Sequence, residues 1–187
     1  SKIRTKIKKI KKSQKIFKDC KDRLIQDLNF KLTNDQESAV QIINQDLRSN
    51  NRMFRLLQGD VGSGKTIVSM VAAVNTIIAG YQTSFMVPTE ILAKQHFSFA
   101  KKYLPKNIRV EMLTGKAKYA ERKKILEDLR LGKIDFLIGT HSLFQKKVEY
   151  NNLGLIIIDE QHKFGVRQRK ELSEKGGNNC DVLVMSA

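Results

Sequence analysis

Cysteine and histidine are scarce in this chain and badly spaced for chemistry. Cys20 and Cys180 stand far apart, and His96, His141 and His162 are just as scattered. No pair has the spacing of a zinc site, and so little cysteine excludes a disulfide scaffold, so the expected setting is reduced and cytoplasmic. Long apolar runs are missing too. Nothing approaches the roughly 20 residues of a transmembrane helix. The opening SKIRTKIKK is charged but no apolar block follows it, which excludes a secretory signal. An initiator methionine is also lacking, and the expectation is a chain cut from something longer. Carboxylates run short: 19 stand against 35 basic residues, giving a formal charge of +16 and a sequence pI near 9.9. That excess points to a polyanionic partner, nucleic acid first and an acidic membrane surface second.

What is present suits one well-buried α/β domain: 187 residues, 41% of them hydrophobic. Residues 1–29 differ from the rest. Eleven basic residues against three acidic ones leave +8 there, half the charge of the chain. Ile3, Ile7, Ile10, Phe17, Leu24 and Leu28 recur at helical steps, with Gln14 and Lys21 interrupting. The pattern predicts a basic amphipathic helix with one narrow apolar stripe. It reads first as a connector lying on a neighbouring domain, with phosphate or membrane-surface contact as the alternatives.

From NFKLTNDQ onward, strand and helix patterns alternate. A capped helix from about Thr33 to Leu47 leads to a strand at MFRLL, the loop QGDVGSG, and a helix from Lys65 to about Ala79 that is apolar nearly all round. Then come strand TSFMV, a helix from Glu90 to about Tyr103, strand IRVEML, a helix from Tyr119 to about Leu131, and strands DFLIG, LIIID and DVLVM. Short apolar strands between helices predict a mostly parallel sheet covered on both faces, a three-layer α/β domain.

Two segments carry chemistry. GDVGSGKT, Gly59 to Thr66, fits the phosphate-loop spacing of Gly, four residues and Gly-Lys-Thr. Gly59, Gly62 and Gly64 let the backbone wrap a phosphate with its amides inward, and Asp60 and Ser63 complete the turn. Lys65 can then reach β- and γ-phosphates, and the Thr66 hydroxyl can ligate magnesium. A predicted strand precedes the loop and a predicted helix follows it, so a chance glycine-rich turn is the weaker reading. In LIIIDEQHKFGVRQR, Leu155 to Arg169, the apolar strand ends at Asp159 and Glu160. Asp159 has the position of a magnesium-holding carboxylate, and Glu160 is placed to polarise an attacking water.

Together these segments resemble superfamily 2 helicases. Asp-Glu-Gln-His at 159–162 looks like their motif II, and its pairing with GDVGSGKT is similar to the bacterial RecG branched-DNA helicases. PTEILAKQH (88–96) resembles motif Ia, LTG (113–115) and GTHSLFQ (139–145) the next DNA-contacting segments, FKLTNDQ (30–36) the adenine-side segment, and MSA (185–187) the start of motif III. Gln161 and Ser63 separate the chain from the transcription-repair coupling translocase and the primosomal helicase, which usually carry Glu at the first position; the former usually carries Phe at the second.

The resemblance implies an ATP-dependent DNA helicase lobe of RecA-like fold over residues 30–187, broken off inside motif III, with ATP and Mg2+ as cofactors. It implies that Gln36 reads the adenine with Phe30 packing nearby. Thr89, Glu90, Thr114, Gly115, Thr140 and His141 would lie along a DNA backbone path, although Thr89 and Glu90 could simply cap a helix and His141 could be an ordinary loop residue. His162 and Ser186 would couple the nucleotide site to a second RecA-like lobe. Arg167, Arg169 and Lys170 would face nucleic acid, that lobe or solvent. The implied partners are branched DNA, the second lobe and a wedge domain, with no membrane, in a monomer. Two other readings stay open: a non-autonomous nucleotide-dependent DNA-binding fragment, and a phosphate-loop kinase for a small metabolite.

Overall fold

A computed structural model of the protein describes residues 24, 31–60, 62–159, 171, 174–175 and 180–187. Six strands alternate with helices along it: β1 (Phe54–Gln58), β2 (Gln82–Met86), β3 (Val110–Leu113), β4 (Phe136–Gly139), β5 (Leu153–Asp159) and β6 (Asp181–Ser186). They form one sheet in the order β1-β6-β5-β2-β4-β3, and every neighbouring pair is parallel. Parallel strands need a crossover between them, and α2 (Lys65–Ile78), α3 (Glu90–Tyr103) and α4 (Tyr119–Arg130) supply those between β1 and β4, while α1 (Asn34–Arg48) precedes β1.

The two faces of the sheet sort by alternation along each strand. Phe85, Phe136, Ile138, Leu155, Ile157, Leu183 and Met185 pack with Val40, Ile43 and Leu47 of α1, the apolar body of α2, and Ala93 and Ala100 of α3. Their strand neighbours Met86, Leu137, Ile156, Ile158, Val182 and Val184 pack on the opposite face with Ile125 and Leu129 of α4. The result is three layers. Ten consecutive residues of α2, Ile67 to Thr76, are buried, which accounts for a helix apolar nearly all round. Leu24 joins the first core; the predicted helix over 1–29 otherwise lies outside the described residues.

Most element boundaries fall within one residue of the sequence pattern, and three differences go further. β3 begins at Val110 because Ile108 closes a turn onto Pro105 and Arg109 is spent on Asp135, whose carboxylate accepts its amide at 2.8 Å. Arg109 also donates to Asp128 at 2.7 Å, and that hydrogen bond holds the Asp128 carboxyl below the usual carboxylate range. β5 begins two residues earlier than LIIID suggests, at Leu153. Gly154 allows it, since a Cβ there would stand 2.5 Å from Tyr81. The third difference is a 3-10 helix over His141–Phe144, directly after β4. β1, at the sheet edge, leaves Phe54 and Leu56 exposed.

An all-parallel sheet collects every strand end on one edge. That edge receives Gly59 after β1, Ser186 at the end of β6, Asp159 at the end of β5, Thr89 after β2, Thr140 after β4 and Thr114 after β3. Ligands of open α/β sheets bind at that edge.

Candidate functional site

The loop after β1 is fastened to β6 at its start, turns tightly on itself and folds a cation back along its own backbone. Gly59 donates its amide to the Ser186 carbonyl at 3.2 Å, and Ser63 donates to the Asp60 carbonyl at 3.0 Å. Gly62 and Gly64 both sit at φ +83, a left-handed conformation that costs a residue with a Cβ about 1–2 kcal/mol. Gly64 is also the N-cap of α2, so the positive end of that helix faces the loop. Lys65 turns its ammonium back along the loop and donates to the carbonyls of Gly59 and Asp60. Both acceptors are neutral, and among the described residues no carboxylate pairs with Lys65, so its positive charge is not neutralised there. Thr66 stands half-buried on the first turn of α2.

Gln36 ties α1 to this loop. Thr33 caps the helix, its hydroxyl accepting from the Gln36 amide, while Gln36 Oε1 accepts from the Thr33 amide at 3.0 Å. The other end of the same side chain, Nε2, donates to the Ser63 carbonyl at 2.7 Å. A Cβ on Gly64 would stand 2.1 Å from that nitrogen, so a larger residue there would strain the left-handed φ and push the Gln36 amide off Ser63.

Asp159 ends β5 with 9% of its surface exposed. On one flank β6 pairs with it through Met185. On the other flank stands His96 of α3, whose Nε2 lies 3.6 Å from Asp159 Oδ2. The imidazole is 8% exposed and tilted against Phe85, with ring centroids 4.6 Å apart. Among the described residues its Nε2 is buried without a hydrogen-bond partner. An unmet buried donor costs about 1–3 kcal/mol, so its aim at a carboxylate carries information. Sequence reading placed His96 inside a motif without giving it a role. The available signal was its place on the buried stripe of α3, with Ala93 and Ala100.

Thr66 and Asp159 offer hard oxygens, the donor type magnesium takes. Among the described residues no group of three or more His, Cys, Asp or Glu stands ready to hold a metal alone. Magnesium that arrives with nucleotide phosphates needs only one or two protein ligands.

Farther along the edge, Thr89 caps α3, its hydroxyl accepting from the Leu92 amide at 3.2 Å, and the bland reading of that residue is met. Its hydroxyl hydrogen is still a donor. Glu90 is paired with Lys116 at 3.0 Å, which links the end of β2 to the segment after β3. Thr114 and Thr140 are buried, while Gly115 and His141 are exposed, His141 facing the Phe144 ring. Phe30, Glu160, Gln161, His162, Arg167, Arg169 and Lys170 lie outside the described residues.

A sequence profile described as DEAD/DEAH box helicase matches residues 33–187. The chain belongs to that family. Membership removes the small-metabolite kinase reading. The ATP-dependent DNA helicase RecG of Streptococcus pneumoniae is 54% identical over 160 residues, which are 86% of this chain and 24% of that protein. The same enzyme of Thermotoga maritima is 52% identical over 167 residues, 89% of this chain and 21% of that protein. The chain thus spans about a quarter of the length of the helicases it matches. A structure of RecG bound to a three-way DNA junction superposes with a TM-score of 0.84 at 46% identity, covering 95% of this chain and 24% of that one. The DEAD-box helicase Mss116, at 19% identity and a TM-score of 0.72 over 91% of this chain and 38% of that one, shares the fold. The parallel sheet and flanking helices are therefore the RecA-like lobe of a DEAD/DEAH helicase. No helix among the described residues is long and apolar enough to cross a membrane.

Proposed function

We propose that these residues form the ATP-binding lobe of an ATP-dependent helicase or translocase that acts on branched DNA in recombination and repair, in the cytoplasm. The observation that carries this reading is the placement of Lys65, in the loop after β1, and Asp159, at the end of β5, on the same edge of the sheet with β6 between their strands. In that reading the loop of residues 59–66 and the N-terminus of α2 cradle the ATP phosphates and Lys65 draws the β- and γ-phosphates into the loop. Gln36, fixed to Ser63, reads the adenine beside Phe30. Thr66 and Asp159 hold Mg2+, which when bound neutralises phosphate charge. Glu160 orients the attacking water. His162 and Ser186, the latter touching the loop through the Gly59 amide, pass the nucleotide state to a second RecA-like lobe.

DNA lies along the other half of the edge. Thr89, Thr114, Gly115, Thr140 and His141 supply hydroxyls, an open backbone and a ring to the sugar-phosphate chain, and Glu90 holds Lys116 at that surface. Residues 1–29 are a basic connector to a wedge domain, residues 30–187 the lobe, and the whole protein works as a monomer. Phosphate-loop enzymes gain about three to five orders of magnitude from an arginine that reaches the transferring phosphoryl group from elsewhere. The lobe by itself is therefore expected to bind ATP and DNA but leave a fork paired.

Fluorescence anisotropy of a labelled fork tests this. Affinity for residues 1–187 should fall by about a hundredfold between 50 and 200 mM salt, the loss expected of about four phosphate contacts. Salt-independent binding, or repeated unwinding of the fork by this chain alone, would contradict the reading.

A further inference from the structure

The order of the strands divides the edge in two. β1, β6 and β5 carry the loop, Ser186 and Asp159, while β2, β4 and β3 lead to Thr89, Thr140 and Thr114. The two halves meet where β5 pairs with β2. His96 stands at that seam. It belongs to the DNA-side half, two turns into the helix that Thr89 caps, yet its free nitrogen faces the carboxylate of the nucleotide-side half.

We propose that His96 is a positioning residue for Asp159, donating from Nε2 to Oδ2 so that the carboxylate presents its remaining lone pairs to magnesium and helix α3 is locked to the nucleotide site. This rests on the reading of Asp159 as the metal carboxylate. A carboxylate only accepts, so a ring whose Nε2 faces it carries its hydrogen on Nε2; a lone pair in that place would repel the oxygen. At 3.6 Å the contact is long, and a shift of a few tenths of an ångström by either side chain makes it a hydrogen bond. The tilted Phe85 ring sets the plane of the imidazole, and no other acceptor engages Nε2 among the described residues. A buried donor with one available acceptor, on a separate element, is the arrangement by which carboxylate ligands are oriented around metals. Because α3 is rigid, anything that moves its capped first turn also moves the nitrogen against Asp159.

Three substitutions separate a positioning role from packing. Leu fills the space without a donor. Gln puts an amide near the place of Nε2, whereas Asn keeps an amide but reaches only about as far as Nδ1. The readout is the gain in affinity of residues 1–187 for a fluorescent ATP analogue on adding magnesium, measured against the same titration in chelator. His96→Leu and His96→Asn should each lose about tenfold of that gain, the worth of one hydrogen bond to a charged group, with affinity in chelator unchanged. His96→Gln should keep most of it. Were Leu to prevent folding, as thermal melts would show, the Gln and Asn pair decides alone. Equal magnesium gain in all folded variants overturns the proposal and leaves the metal reading of Asp159 standing. If the unaltered chain shows no magnesium gain, or Asp159→Asn keeps it, the metal reading fails and this proposal falls with it.

Discussion

Replacing Lys65 with Ala is expected to weaken ATP binding by at least about a hundredfold, roughly 2.7 kcal/mol, because two charge-assisted contacts to phosphate are lost together. The fold should not notice. Among the described residues Lys65 donates only to the carbonyls of its own loop, those of Gly59 and Asp60, and it belongs to neither apolar core. Lys65 is half-buried and its contacts are confined to its own loop, so its loss should cost no more than about 1 kcal/mol and the melting temperature should stay within about 4 °C of the unaltered chain. Titration of a labelled ATP analogue beside a thermal melt checks both halves. A variant with normal ATP affinity would remove the loop from the account, and one that no longer folds would show that the lysine is structural.

Gly139→Ala should do the opposite, damaging the fold while leaving the loop alone. Gly139 ends β4 opposite Leu113, and a Cβ there would stand 2.3 Å from the Leu113 carbonyl oxygen and 2.8 Å from the Leu143 side chain. Backbone oxygen in a paired strand cannot swing aside as a flexible side chain can. The expected loss is about 3 kcal/mol, near the upper end for overpacking. In a chain of this size that lowers the melting temperature by about 6–12 °C. Thr140 and the 3-10 helix follow immediately, so the DNA-facing end of β4 should shift and affinity for fork DNA should drop. ATP affinity should survive, since β1 lies at the far edge of the sheet. A melting temperature within about 1 °C of the parent would mean that β3 and β4 do not approach so closely here.

These two glycine-rich motifs show what the sequence discloses and what it withholds. The glycines of the phosphate loop are legible because their spacing, with Lys65 and Thr66, repeats a chemical need. Gly139 looks like the first letter of a DNA-contacting motif, and its structural reason depends on which strand lies beside β4. That neighbour is β3, and strand order is not written in local periodicity. The alternation of short strands and helices did predict a parallel sheet with both faces covered, because strands buried on both sides are mostly apolar, as β4 and β5 are; β2 is equally buried but carries Gln82, Thr83 and Ser84, and Gln82 and Ser84 meet partners at Leu129, Ile134 and Tyr150.

Long-range pairings were the least legible. His96 and Asp159 stand about 60 residues apart in sequence and meet because β5 pairs with β2. Gln36 was readable as a capping residue from Thr33 and as an adenine contact by resemblance. Its bond to the Ser63 carbonyl, which fastens the helix to the loop, needed the fold. Thr89 went the other way: its helix-capping role follows from local chemistry, and any phosphate contact must be made with the hydrogen that capping leaves over. The 3-10 turn at His141–Phe144 had no periodic signal, since four residues are too few to carry one.

The central claim is that the loop of residues 59–66 and the carboxylate of Asp159 form one ATP and metal site. Crystals of this chain grown with a non-hydrolysable ATP analogue and Mn2+ in place of Mg2+ test it most directly, because manganese scatters anomalously and marks its own position. The account predicts the triphosphate within the loop, Lys65 turned from the Gly59 and Asp60 carbonyls onto phosphate oxygens, and a single anomalous peak between the Thr66 hydroxyl and Asp159. A triphosphate outside the loop, or a metal peak away from both Thr66 and Asp159, would contradict it.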